Sequence, residues 1–180
     1  QADLRRERHR QLANKLLAAG NEFYVEDMRW RALARKSKKA KKNKKGKYIS
    51  RKRFGKSIAN KSPGSFLSIL EQKVKAQGGS FKRLITWKAR ASQYHHMTGK
   101  YKKKKLSQRT DVLEDGSRVQ RDLYSAFLIQ HANKTLDGFN ARLCKKDYAN
   151  FLRMHNEVME ALARSDKKLP SSMGVRQKAA

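Results

Sequence analysis

Apolar positions in this chain come in short stripes, each with its own period, separated by long polar and basic stretches. Over 2–19, Leu4, Leu12, Leu16 and Leu17 form a rough helical stripe among Arg5, Arg6, Arg8 and Arg10, and Gly20-Asn21 stops it. Phe23, Tyr24 and Val25 then predict a strand over 22–28. Ser62-Pro63 predicts a capped helix start, and Phe66, Leu70 and Val74, with Leu67 and Ile69 beside them, carry the helix to the stop at Gly78-Gly79. Phe81 to Trp87 reads as a second strand. Strand 22–28, helix 63–77 and strand 81–87 thus predict two parallel strands joined by a right-handed crossover. Two such strands are not an independently stable sheet, so more structure must cover them.

Residues 92–118 are a polar, turn-rich insertion with room for short hairpins around Asp115-Gly116. A helix follows over 123–134, with Tyr124, Phe127, Leu128 and His131 on one face, and another over 147–164, with Phe151, His155, Val158 and Leu162. His155 reads as a histidine at the edge of the core. From Ser165 onward periodicity ends, which predicts a disordered tail.

Lys and Arg number 45 against 15 Asp and Glu, for a net charge of +30, while only 38% of residues are hydrophobic. Self-repulsion at that charge opposes compaction and an anionic partner relieves it; nucleic acid is the expected partner. The basic run from Arg35 to Lys47 cannot bury an apolar face and is expected to be disordered alone and ordered on phosphate. Trp30 and Tyr48 flank it, where they could stack on bases, although Trp30 packing on the adjoining helix is the stronger reading. With no long apolar run and no signal peptide, no membrane partner is expected. Cys144, the single cysteine, has no disulfide partner within the chain; it suits a reducing, cytoplasmic setting and a packing role.

In so basic a chain, acids at the end of an apolar strand are out of place unless they meet a cation. Glu26 and Asp27 close the first strand, and Asp122 opens the helix after the insertion. By period two, Asp27 points away from Glu26. Asp122 also suits the positive end of a helix dipole, and on spacing alone a capping role has the better claim.

Val25-Glu26-Asp27-Met28, the basic loop, the Phe- and Leu-rich helix, Ser92-Gln93, Leu106-Ser107-Gln108-Arg109 and Arg121-Asp122-Leu123-Tyr124-Ser125-Ala126 occur in one order over roughly residues 5–135. In that order they resemble the C-terminal part of the TnpB family, transposon-encoded RNA-guided nucleases related to the type V CRISPR effectors. The resemblance implies an α/β chain with a partial RuvC or RNase H-like fold: two parallel strands, a crossover helix and flanking helices, with the first strands lacking and a ribbon-like hairpin region inserted. The implied divisions are 1–91, with the Glu strand and basic loop; 92–118, a degenerate zinc-ribbon-like insertion; 119–135, with the last Asp; and 136–180, a helix and basic tail.

Glu26 then matches the second acid of the RuvC triad and Asp122 the third, with Mg²⁺ or Mn²⁺ as cofactor and guide RNA and target DNA as partners. The implied nucleic-acid contacts are Lys38, Lys39, Lys41, Lys42, Lys44, Lys45, Arg51, Lys52, Arg53, Lys102, Lys103, Lys104, Lys105 and Arg109. The four zinc-ligand positions of the family fall on Tyr94, Met97, Val112 and Asp115, and His95-His96 are adjacent, so no zinc is expected. Tyr124 stands where the family has asparagine. No strand precedes residues 2–19 to carry the first catalytic aspartate, which implies a truncated piece of a longer nuclease or a degenerate remnant. The implied function is the C-terminal part of an RNA-guided, metal-dependent DNA endonuclease. The competing reading is a non-catalytic basic RNA- or DNA-binding protein, of ribosomal type or an inactivated relative.

Overall fold

The computed structural model describes residues 1–34, 42–47, 55–105, 107–166 and 169–175. The chain is mixed α/β, with small two-stranded sheets, and it divides into two compact units. Gln1–Phe23 and Met28–Phe81 form the first; Tyr24–Asp27 and Lys82–Ala180 form the second. The division differs from the one read along the sequence, because residues of the ribbon-like segment and of both following segments share one core.

In the first unit, α1 (Ala2–Ala19) packs along α4 (Pro63–Ala76). Their core is Ala13, Leu70 and Val74, joined by Leu16, Leu17, Phe23, Phe66, Ile69 and Phe81. Burying Leu70 or Val74 is worth about 1.5–3 kcal/mol each. The packed stripe of α1 is therefore Ala13, Leu16 and Leu17, at i, i+3 and i+4. Leu4 and Leu12, expected in that stripe, are 57% and 46% exposed. Ala13 at 0% exposure explains the shift, since a side chain that small lets the helices approach closely.

Two short helices were not anticipated, α2 (Trp30–Ala34) and α3 (Gly55–Lys61). Trp30 packs rather than stands free: a Cβ on Gly64 would lie 3.3 Å from its Cδ1. Because α3 runs straight into α4, Ser62 cannot cap α4 as expected. It adopts the left-handed conformation (φ 43°), and its hydroxyl donates to Ala59 O at 2.8 Å, closing α3 instead. Pro63 does open α4.

Strands β1 (Glu22–Glu26) and β2 (Ser80–Leu84) pair in parallel. Ser80 N–H donates to Asn21 O at the start of both strands, and Asp27 N–H donates to Leu84 O at their ends. Both strands are shorter than expected. Beyond β2, α5 (Thr86–Ala89) begins, and Trp87 is 71% exposed on it rather than in a strand.

In the second unit the insertion forms two antiparallel hairpins. β3 (Tyr94–His95) pairs with β4 (Lys100–Tyr101), and β5 (Thr110–Val112) pairs with β6 (Arg118–Gln120). Helix α6 (Arg121–Gln130) follows β6 without a break, and α7 (Ala141–Ala163) packs against it. α7 starts at Ala141 rather than 147 because Asn140 caps it, accepting from Leu143 N–H at 3.2 Å. The core holds Tyr94, Leu113, Val119, Tyr124, Phe127, Leu128 and Cys144, with Phe139, Tyr148, Phe151 and Leu152 against it. Cys144 is fully buried, and burial pushes its thiol up to about 11, as suits a packing role. The expected tail differs too: Ser171–Met173 form a 3-10 turn, and Gly174 (φ 68°) lies so close to Arg109 that a Cβ would meet it at 2.6 Å. Among the described residues no helix is long and apolar enough to cross a membrane.

Candidate functional site

Glu26 is the last residue of β1 and Asp122 the second of α6, and both belong to the second unit. The start of α6 is held firmly. Gln120 caps it, its Oε1 accepting from Leu123 N–H at 2.7 Å, so the capping role that spacing assigned to Asp122 is filled by another residue. His155 Nε2 accepts from Gln120 N–H at 2.9 Å, and its Nδ1 donates to Asn156 Oδ1 at 2.9 Å. A buried histidine of the core thus fixes the backbone two residues before Asp122. Two residues of the Leu-x-x-Arg segment, whose Leu106 lies outside the described residues, dock there as well: Arg121 N–H donates to Arg109 O and Arg121 Nη1 to Gln108 O. Two motifs distant along the chain therefore meet at the same helix end.

Asp122 is 60% exposed, and its Oδ1 accepts from Arg121 Nε at 3.1 Å. Glu26 is half-buried, and no cationic side chain among the described residues pairs with it. Burial raises its carboxyl pKa above the ordinary 4.5, and the Asp122 carboxylate raises it further. Two acids far apart in sequence are thus within electrostatic reach of each other, and one has no counter-charge among the described residues. Asp27 is exposed just past the strand; its backbone bonds Leu84 O and the Thr86 hydroxyl.

Two carboxylates in electrostatic reach, with only Asp122 paired to a cationic side chain among the described residues, suit a hard divalent cation, because the ion offsets their repulsion. Among the described residues no group of three or more His, Cys, Asp and Glu side chains converges on one point. Mg²⁺ does not require one, since it commonly takes one or two carboxylates and completes its shell with water and substrate phosphate.

The four positions aligned with zinc ligands are divided among different tasks. Tyr94 is core, Met97 lies in the β3–β4 turn, Val112 is 58% exposed, and Asp115 accepts from Ser117 and from the Tyr148 hydroxyl. An aromatic cluster joins the hairpins to the helices: His96, Tyr124, Phe127, Tyr148 and Phe151 lie with ring centroids 4.5–6.4 Å apart. At its centre the Tyr124 hydroxyl is 2.7 Å from His96 Nδ1 and accepts from His96 N–H at 3.2 Å. Burial lowers His96 to about 4 and raises the Tyr124 phenol.

Of the expected nucleic-acid contacts, Lys38, Lys39, Lys41, Arg51, Lys52 and Arg53 lie outside the described residues. Lys44 and Lys45 are exposed on a turn organised by Asn43 Oδ1, which accepts from Lys45 and Lys47 N–H, so 42–47 has more order than the composition predicted. Lys42 borders that turn. Lys102, Lys103 and Lys105 are exposed, and Arg109 is half-buried. Lys104 differs from the expectation. Its side chain is 5% exposed and its ammonium is bonded to buried Asp111, which also faces His95 Nε2 at 3.3 Å. Asp111, Gln120 and His155 were not read as site-building residues; a lone acid in a short strand and a capping glutamine carry no periodic signal. Met173 and Val175, in the expected tail, line an apolar cavity of about 320 Å³ beside Asp122 and Leu123. No family model, no curated protein and no solved structure matches this chain.

Proposed function

We propose that Glu26 and Asp122 are two acids of a RuvC-type, metal-dependent site, and that the chain is the C-terminal part of an RNA-guided DNA endonuclease of TnpB type. The observation that carries this reading is the electrostatic contact of Glu26 with Asp122, with no cation among the described residues beside Glu26 to balance it. The parallel pair β1–β2, with α2, α3 and α4 between its strands in sequence, and the exposed lysines near the hairpins, are consistent with a partial RNase H-like fold gripping nucleic acid.

Glu26 and Asp122 would hold Mg²⁺ or Mn²⁺, which would supply charge stabilisation at the attacking and leaving oxygens of a phosphodiester. The residues themselves do the positioning. β1 presents Glu26 from a half-buried seat, while Gln120 and His155 hold the backbone that presents Asp122. Arg121 keeps one Asp122 oxygen oriented, and among the described residues the other makes no hydrogen bond. Lys102, Lys103 and Lys105 would contact backbone phosphates; Lys104 is committed to Asp111.

The test is Mg²⁺-dependent cleavage of single-stranded or unwound DNA by the guide-loaded protein. Glu26→Gln and Asp122→Asn are each expected to abolish cutting, a loss of at least about 10³-fold, with DNA affinity kept or raised. Undiminished cutting by Glu26→Gln refutes the assignment. Metal-independent binding without cutting in the native protein favours the non-catalytic reading, to which the +30 charge is equally suited.

A further inference from the structure

The first unit holds a basic cleft that the two-acid reading does not use. It has a volume of about 640 Å³ and is lined by Arg5, Arg8, His9, Asn60 and Lys61, with Gln1 and Leu4 at its edge. No acid lines it. Two of its basic side chains are fixed by the fold: Arg5 Nη1 donates to Asn60 O at 3.2 Å, and His9 Nε2 lies 3.1 Å from Lys61 O. These bonds satisfy carbonyls at the end of α3, where cationic side chains are favoured by the dipole. They also hold α1 and α3 together as the walls of the cleft. Arg8 and Lys61 have no such task; both are exposed, and no carboxylate among the described residues engages either. Gathering them beside Arg5 costs repulsion that an anion in the cleft would remove. At about 30 Å³ per water, the space holds about twenty waters, so a run of polymer fits and not a single ion alone.

We infer that the cleft between α1 and α3 seats the backbone phosphates of a nucleic-acid strand, with Arg8 and Lys61 as the contacting charges and Arg5 and His9 as their fixed frame. The inference is independent of the two-acid site, which lies in the other unit, and it is read from binding and not from cleavage. Phosphate contacts of this kind carry no sequence information.

The intact chain is titrated with a short single-stranded oligonucleotide and, separately, with inorganic phosphate, following the His9 ring resonances by NMR. Affinity for the oligonucleotide is then measured against salt for the native chain, for Arg8→Gln/Lys61→Gln, and for a control, Lys145→Gln/Lys146→Gln, that removes equal charge from exposed positions on α7. The oligonucleotide is expected to move the His9 resonances. The cleft pair is expected to lower the slope of log K against log[salt] by about 1.4 and weaken binding by about tenfold or more, the control leaving the slope unchanged. An equal loss in both variants, or no loss in the cleft pair, overturns the inference. So does a native chain whose His9 resonances stay still, which needs no variant to fold. Inorganic phosphate moving them as far as the oligonucleotide at equal phosphate concentration overturns the assignment to a polymer backbone.

Discussion

At the scale of single residues, Glu26 behaves as an acid set where its charge is unwelcome. Burial and then Asp122 raise its pKa in the folded state, so the folded chain binds its proton more tightly than the unfolded chain does. Stability contributed by this group therefore falls as pH rises from the unfolded value near 4.5 through the raised folded value. Without divalent metal, Glu26→Gln is expected to be more stable than the native chain at neutral pH, the gain shrinking to nothing below about pH 4. Urea unfolding at a series of pH values checks it; parallel pH profiles for the two proteins would contradict it. Glu26 and Asp122 were legible in the sequence because acids stand out in so basic a chain. The support of Asp122 was not legible. Gln120 and His155 lie on different elements and meet only through the packing of α6 on α7.

At the scale of elements, turn chemistry was legible where glycine is sterically required. Gly79 ends α4 so tightly that an added Cβ would lie 2.4 Å from Asn21 O and 2.9 Å from Val74 Cγ1. Gly79→Ala is expected to cost about 1–3 kcal/mol. Gly20 follows α1 with extended backbone (φ 170°) and nothing within 4 Å of a Cβ, so Gly20→Ala should stay within about 0.5 kcal/mol. Denaturant midpoints for the two variants separate them, and equal midpoints would contradict the packing described. The two glycines look alike in sequence; only the close approach of another backbone distinguishes them. The hairpins show the same limit. The insertion's thiolate positions are empty of cysteine, yet two adjacent histidines and a tyrosine distant in sequence build its support. Tyr124→Phe leaves buried His96 without the hydroxyl and is expected to cost about 1–3 kcal/mol; chemical denaturation measures it, and a loss near zero would show that ring packing alone holds the hairpins.

At the scale of the molecule, two cores divide the chain where neither a linker nor a composition shift marks the place. The boundary crosses β1 between Phe23 and Tyr24 and β2 between Phe81 and Lys82. A sequence read element by element assigns each strand whole to one segment, which is why the division was not legible. The +30 charge is legible in the sequence, and an anionic partner would relieve its self-repulsion. The proposed site rests on one cation shared by Glu26 and Asp122. Paramagnetic Mn²⁺ titrated into the native chain, followed by amide NMR, is expected to broaden the signals around Glu26 and around Asp122 together, and both sets should persist unbroadened in either Glu26→Gln or Asp122→Asn. Broadening at only one of the two places, or at both in the variants, would contradict it.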